Sequence, residues 1–263
     1  MAIAMSVLLD DLRAETDVLD ALLAPLPPAA WDTPTPAAGW SIRDQVSHLA
    51  YFDEVTTRQT GDPDVFRAEV DALVALGDYT EHVARRFRTV PAGEMLAWFR
   101  GARVDLIAAF AVAEPTASLP WFGPPMSAVS SMTARLMETW AHGQDVADAL
   151  GVRREPTARL RHVAHLGVAT RGFALAQRGL PAPTAPVHVA LAAPDGGTWT
   201  WGPPDAADRV TGPAEDFCLL VTRRRHRDDL ALEVHGDAAD TWVAVAQAFA
   251  GPPGEDPRPG GPR

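Results

Sequence analysis

The chain has 263 residues, 47% of them hydrophobic, with 34 acidic against 23 basic side chains and a net charge of −11. That balance argues against a nucleic-acid partner, which needs a basic face. No apolar run approaches the ~20 residues that span a bilayer. The length suits two modest domains with cores of their own. Cys218 is the single cysteine, so no internal disulfide can form. All the positive charge is arginine, and the opening MAIAMSVLLDDLRAET lacks the basic start of a signal peptide, so a cytoplasmic protein is expected.

In chain order, residues 6 to 23 form an amphipathic helix with Leu8, Leu12, Leu19, Leu22 and Leu23 inward. The Pro-rich APLPPAAWDTPTPAAGW is a loop, with Trp31 and Trp40 packed beneath it. Ser41 caps a second helix that runs to about Thr57, with Asp44 giving a capping-box-like start. His48 lies about two turns into it, beside an inner face of Ile42, Val46, Leu49 and Phe52. The connection from Asp62 to Val90 is longer than a minimal bundle needs. It carries helical spacing over Val65, Val70, Leu73 and Leu76, a break at Gly77, and further helix through YTEHVARRFRTV. His82 there reads as a surface residue, and Arg85, Arg86 and Arg88 as a solvated cationic face. Pro91 opens a helix ending near Glu114. The loop TASLPWFGPPM follows, its Trp121 and Phe122 placed either to close over a site or to cap the bundle. Ser127 to Leu150 reads as one helix of roughly six turns, with Gly151 as its C-cap.

The C-terminal part opens on a helix over 157–180, whose His162 and His165 are read as structural. VHVALAA and GTWTWG, separated by PDGG, predict a hairpin. RVTGPAEDFCLLVTRRR reads as strand, turn and helix, LALEVHGD as a strand and AADTWVAVAQAF as a closing helix, an α+β layer. Cys218 sits in the apolar run FCLLV and is expected to be a buried, inert thiol. The tail GPPGEDPRPGGPR is disordered by composition.

The chemistry gathers on the 127–150 helix. Glu138, His142 and Asp145 fall at i, i+4 and i+7 on one face, with Arg135 a turn earlier. A carboxylate and an imidazole one turn apart can grip a metal ion, and a His facing inward from another helix would complete the set; His48 is the best placed. Two imidazoles and a carboxylate suit Zn²⁺ with an open fourth position, while Ni²⁺, Fe²⁺ or Cu²⁺ could use the same atoms. Asp145 and Asp44 are candidates to orient the imidazoles of His142 and His48 through their free N–H groups. Arg135, and one of Arg223, Arg224 or Arg225, are candidates to hold a substrate carboxylate. Arg224 is taken to represent that trio.

GWSIRDQVSHLA and RLMETWAHGQDVADALG resemble the two signature stretches of the mycothiol-dependent maleylpyruvate isomerase family, within the DinB-like four-helix metal proteins. PWFGPPMSA and METWAHGQDVADALG resemble an uncharacterised actinobacterial branch of it. The resemblance implies an α+β protein: a DinB-like bundle over 1–155 with His48, Glu138 and His142 as metal ligands, then a helix and small sterol-carrier-like domain over 156–250, and a tail over 251–263. It implies mycothiol as a cosubstrate, a small organic substrate, and transferase or isomerase chemistry. A C-terminal arginine would reach the substrate. A thiol-independent metal hydrolase or cyclase, and a non-enzymatic protein binding an apolar small molecule or lipid, are the competing readings. The chain would act as a monomer or homodimer, without nucleic acid or membrane.

Overall fold

The computed structural model describes residues 3–251 and 256–261, and the chain divides into two compact units, Met1–Arg153 and Arg154–Arg263. The first unit is helical. Helix α1 (Met5–Leu23) leads through a 3₁₀ turn (Pro28–Asp32) to α2 (Ile42–Gly61). The long connection then folds as α3 (Pro63–Val74) and α4 (Tyr79–Phe87), and α5 (Ala92–Ala111) follows. Two-residue strands β1 (Ser118–Leu119) and β2 (Met126–Ser127) pair antiparallel before α6 (Ala128–Leu150). The four long helices α1, α2, α5 and α6 make the bundle.

Local chemistry sets these boundaries. Ser41 and Asp44 form a reciprocal capping box at the start of α2, the Ser41 N–H donating to Asp44 Oδ2 at 2.8 Å. Asp62, Asp78 and Ser127 each accept a backbone N–H at the heads of α3, α4 and α6. Gly151 ends α6 in the left-handed conformation (φ 64°), which glycine adopts without Cβ strain. Helix α2 runs through the middle of the unit. Every residue from Ile42 to Ala50 is buried, polar ones included. Its apolar positions Ile42, Val46 and Leu49 pack with Leu19 and Leu23 of α1, Met95 and Phe99 of α5, Val146 of α6 and Trp31 from the 3₁₀ turn. Because α2 has no solvent face over this stretch, its polar side chains must find partners inside the bundle.

The second unit begins with α7 (Leu160–Ala169) and α8 (Arg171–Gln177). The single helix expected over 157–180 is thus broken at Thr170. The Thr170 hydroxyl lies within hydrogen-bond reach of the carbonyls of Leu166, Gly167 and Gln247, and this competes with continued helix. Strands β3 (Val187–Ala192), β4 (Thr198–Trp201), β5 (Asp208–Pro213) and β6 (Glu233–His235) form a sheet in the order β4-β3-β5-β6. β3 pairs antiparallel with β4 across the expected hairpin and parallel with β5. Helix α9 (Ala214–Val221) follows β5 directly and α10 (Asp237–Val243) follows β6. α7 packs so closely on α9 that a Cβ on Gly167 would lie 2.8 Å from the Val221 methyls. Cys218 is fully buried and burial pushes its thiol well above the usual value, in keeping with an inert role.

Of the tail, residues 252–255 and 262–263 lie outside the described residues. The described part is tied down. Asp256 accepts from Arg178 at 2.8 Å and from Arg223 at 2.5 Å, and the Gly260 N–H donates to Asp229. Composition registers the shortage of apolar side chains but not these charge pairs.

Candidate metal centre

Helices α2 and α6 bring three side chains from two distant segments to one point. Glu138 Oε2 lies 3.0 Å from His142 Nε2 and 3.5 Å from His48 Nε2. One ligand atom from each residue lies within 4.8 Å of the others. The two imidazoles are buried, their ring centroids 4.4 Å apart, and the Glu138 side chain keeps 22% of its surface exposed. The separations bracket the ~3.3 Å between neighbouring ligand atoms of a tetrahedral zinc site with bonds of about 2.0–2.1 Å.

The donor set also favours a cation on electrostatic grounds. Burial pushes the Glu138 carboxyl up, but hydrogen bonds and charge from His142 and His48 outweigh it and hold the group well below the usual carboxylate range. The site therefore presents an anion together with two imidazole nitrogens, and all three turn acceptor atoms toward a shared volume when each imidazole is neutral with its proton on Nδ1. Acceptors crowded in this way repel one another unless a proton or a metal ion lies between them. The residues present thus fit a divalent cation.

Around this centre stands an aromatic wall. The Trp40 ring stacks on His142 at 6.0 Å and lies 5.4 Å from His48. Phe52 touches His48 at 4.6 Å. Phe122 packs 5.7 Å from Phe52 and stacks on Tyr79 at 5.4 Å. Trp121 and Phe122 are half-buried against Phe66 and Tyr79, so they are packed as a cap on α3 and α4. The Tyr79 phenol is raised first by burial and then by the negative charge of Glu138, which places it within electrostatic reach of the centre.

The remaining candidates fall elsewhere. Arg135 is not available to a substrate. It is 2% exposed, its Nε donates to Asp53 Oδ1 at 2.9 Å and its Nη2 to the Leu49 carbonyl at 3.2 Å. Arg103 reaches the other oxygen of the same carboxylate at 2.7 Å, making a buried Arg103–Asp53–Arg135 bridge. Asp44 is consumed by the capping box and by Arg88, which donates to it at 2.9 Å, so it does not orient His48. Asp145 is buried with its Oδ2 3.9 Å from His142 Nδ1, beyond hydrogen-bond range. The group that meets Nδ1 is Gln45 Oε1, at 2.5 Å. Arg224, in the second unit, is half-buried and donates to the Thr222 carbonyl at 2.7 Å. His82 is exposed and His165 is exposed, and neither joins the metal-ligand group found among the described residues.

Gln45 and Tyr79 are absent from the sequence expectations, and Trp40 and Phe52 enter them only as packing residues. Gln45 sits three residues before His48, the same-face spacing that could have marked it.

A family model described as the mycothiol maleylpyruvate isomerase N-terminal domain matches residues 12–147. The chain belongs to this family. Both segments that supply the three converging side chains fall inside the match. A second model, described as wyosine base formation, matches residues 183–233 of the second unit. Two curated relatives, uncharacterised proteins of Mycobacterium tuberculosis strains CDC 1551 and H37Rv, are each 49% identical over 245 residues, covering 93% of this chain and 95% of theirs. Crystal structures of a mycothiol-dependent maleylpyruvate isomerase and of its histidine-to-alanine mutant share the fold. Their TM-scores are 0.61 and 0.62 at 14% identity, over 88% of this chain and 93% of those chains. The fold is therefore the α+β arrangement of that isomerase, with its N-terminal helical domain. No described helix is long and apolar enough to cross a membrane.

Proposed function

We propose that this chain is a metal-dependent enzyme that uses mycothiol as cosubstrate in a transfer or cis–trans isomerisation on a small organic substrate. The observation that carries the reading is the convergence of His48, Glu138 and His142 within one family whose named member is mycothiol-dependent. Zn²⁺ is the favoured ion for two imidazoles and a carboxylate in a buried site. Bound there, a divalent cation lowers the pKa of a coordinated thiol and polarises a carbonyl oxygen. The chain's own residues supply the setting. Glu138 contributes one negative charge, which offsets half that of a divalent ion. Trp40 and Phe52 shield the imidazoles from water and raise the strength of every electrostatic contact at the centre. Asp145, buried near His142, adds negative charge behind the ring. The bond of Arg135 to Asp53 weighs against a substrate clamp there, and Arg224, standing for the trio Arg223, Arg224 and Arg225, is the proposed group for a substrate carboxylate. With 14% identity to the isomerase, the substrate is proposed to be a different small molecule from maleylpyruvate.

Elemental analysis of the purified full-length chain tests the centre, with about one divalent ion per chain expected and loss of it in His48→Ala and His142→Ala. Retention of the ion in both variants would refute the ligand assignment. Calorimetric titration with mycothiol then tests the cosubstrate: binding that needs the metal supports the reading, and no binding to the loaded protein moves it to a thiol-independent hydrolase. Arg224→Ala is expected to raise KM for a carboxylate substrate with little change in kcat.

A further inference from the structure

The partner of the second ring nitrogen of His142 is not an acid but an amide, and its orientation can be read from the hydrogen-bond chain behind it. The Thr35 hydroxyl donates to the Trp40 carbonyl at 2.9 Å. A hydroxyl has one hydrogen, and a carbonyl can only accept, so Thr35 Oγ1 can only accept from any further partner. That partner is the Gln45 side chain, whose Nε2 lies 2.8 Å away. The amide must therefore turn its NH₂ toward Thr35 and its oxygen the other way. Its Oε1 then meets His142 Nδ1 at 2.5 Å. The carboxylate of Asp145, the next acceptor on that side at 3.9 Å, asks for the same arrangement. Nε2 also faces an acceptor, Glu138 Oε2 at 3.0 Å, so the two nitrogens are told apart when a cation takes the place of a proton on the Glu138 side. With a cation there, His142 is the Nδ1–H tautomer, its Nδ1 donating to Gln45 Oε1 and the lone pair of Nε2 directed at the centre.

The reverse orientation has a specific cost. A flipped amide would set its oxygen against Thr35 Oγ1 and aim its NH₂ at Nδ1. The ring would then carry its proton on Nε2, pointing at the position a cation would occupy. Gln45 is fully buried, so water cannot compensate either mismatch. The Pro-rich loop fixes Thr35 itself: its N–H also donates to the Trp40 carbonyl at 2.8 Å, and Pro34 bridges to Ser41. The same loop turn lays the Trp40 ring on the His142 imidazole.

We propose that Gln45 is a positioning residue that locks His142 in its Nδ1–H tautomer, with Thr35 setting the sense of the amide, so that Nε2 is the nitrogen offered to the metal. The proposal rests on the metal reading above and extends it to the loop over residues 33–41. Loss of such an outer partner lowers metal affinity by about 10–100-fold.

The test uses the full chain and two readouts. Nitrogen NMR of ring-labelled, Zn²⁺-loaded protein reports which nitrogen of His142 carries the proton. Chelator competition reports Zn²⁺ affinity. Wild type should show the Nδ1–H form. Gln45→Leu should lose that preference and bind Zn²⁺ about 10–100-fold more weakly. Gln45→Glu keeps an acceptor at Nδ1 but sets its second oxygen against Thr35 Oγ1, so it should keep the Nδ1–H form and bind Zn²⁺ with an affinity between those of wild type and Gln45→Leu. Thr35→Val, on a loop rather than in the core helix, should loosen the amide and weaken Zn²⁺ in the same direction, and keeps the test informative if Gln45→Leu fails to fold. An Nε2–H tautomer in wild type, or wild-type Zn²⁺ affinity in folded Gln45→Leu or Thr35→Val, would overturn the proposal. Failure of wild type to bind any divalent ion would overturn the metal reading and this proposal with it, whereas a bound ion with the wrong tautomer would overturn this proposal alone.

Discussion

Replacing Arg135 with methionine separates the two roles open to that side chain. A substrate clamp could be removed with little loss of stability, whereas a buried strut could not. In the structure the Asp53 carboxylate is fully buried and shared between two guanidiniums that are themselves 2–3% exposed, at contacts of 2.7 Å on each side. Arg103 extends the bridge by donating to Thr16 at 2.7 Å and Thr139 at 3.0 Å, so α1, α2, α5 and α6 all meet at this cluster. The buried Glu15 supplies a second negative charge that acts on Arg103. Removing one cation from this group leaves an uncompensated buried anion, which costs about 3–5 kcal/mol. For a domain of this size each kcal/mol moves the melting temperature by roughly 2–4 °C, so Arg135→Met should lower it by roughly 6–12 °C at the low end of that cost. Asp53→Asn should cost a similar amount, because it leaves the opposite charge in excess. The double variant restores charge balance and should cost less than the sum by about 1–3 kcal/mol. Scanning calorimetry of the four proteins reads this directly. Additive losses, or an Arg135→Met variant within about 1 kcal/mol of wild type, would refute the strut and return Arg135 to the substrate.

Two further expectations follow from the packing. Both tyrosines of the chain should titrate above their ordinary value of 10.0, Tyr51 at about 12 through burial and its hydrogen bond to Glu69, and Tyr79 through burial and the charge of Glu138. A raised pKa means the folded state holds the proton more tightly, so this stabilisation is intact below pH 10 and is lost as pH climbs toward Tyr51's value of about 12. Tyrosinate absorbance should therefore stay low at pH 10 in native protein and appear there on unfolding in urea; a native midpoint at 10 would contradict the burial. In the second unit, Gly167→Ala should destabilise by about 1–3 kcal/mol, because its new methyl meets the Val221 side chain at 2.8 Å. Pairing it with Val221→Ala should recover part of that loss in urea denaturation, and a Gly167→Ala variant as stable as wild type would show that α9 yields.

What the sequence made legible was what lies close along the chain. The Ser41–Asp44 capping box, the Gly151 C-cap of α6 and the i, i+4 relation of Glu138 and His142 are all local patterns, and each appears in the structure where its spacing put it. The β3–β4 hairpin is also local, its partners meeting across the PDGG turn. The break at Thr170 was not legible, because one of the three carbonyls around its hydroxyl belongs to Gln247, 77 residues on. The strands β1 and β2 escaped notice for another reason. They are two residues long, too short to show alternation.

Arg135 shows how a shared face need not mean a shared site. Seven residues separate it from His142, two turns along α6, so the two share a face as their spacing requires. Seven residues also amount to ~10 Å of rise along the axis. That distance carries the guanidinium past the His48–Glu138–His142 cluster to the level of Asp53, which lies five residues beyond His48 on α2. Helical periodicity fixes the angle of a side chain and says nothing about what waits at its depth on the facing helix. The same limit hid Gln45. Its angle on α2 was readable, but its meaning depends on a ring 97 residues away and on a loop hydroxyl ten residues before it. A binding centre built between helices is therefore half visible in sequence: the ligand atoms follow local spacing, while the groups that aim them come from depth and orientation that only packing supplies.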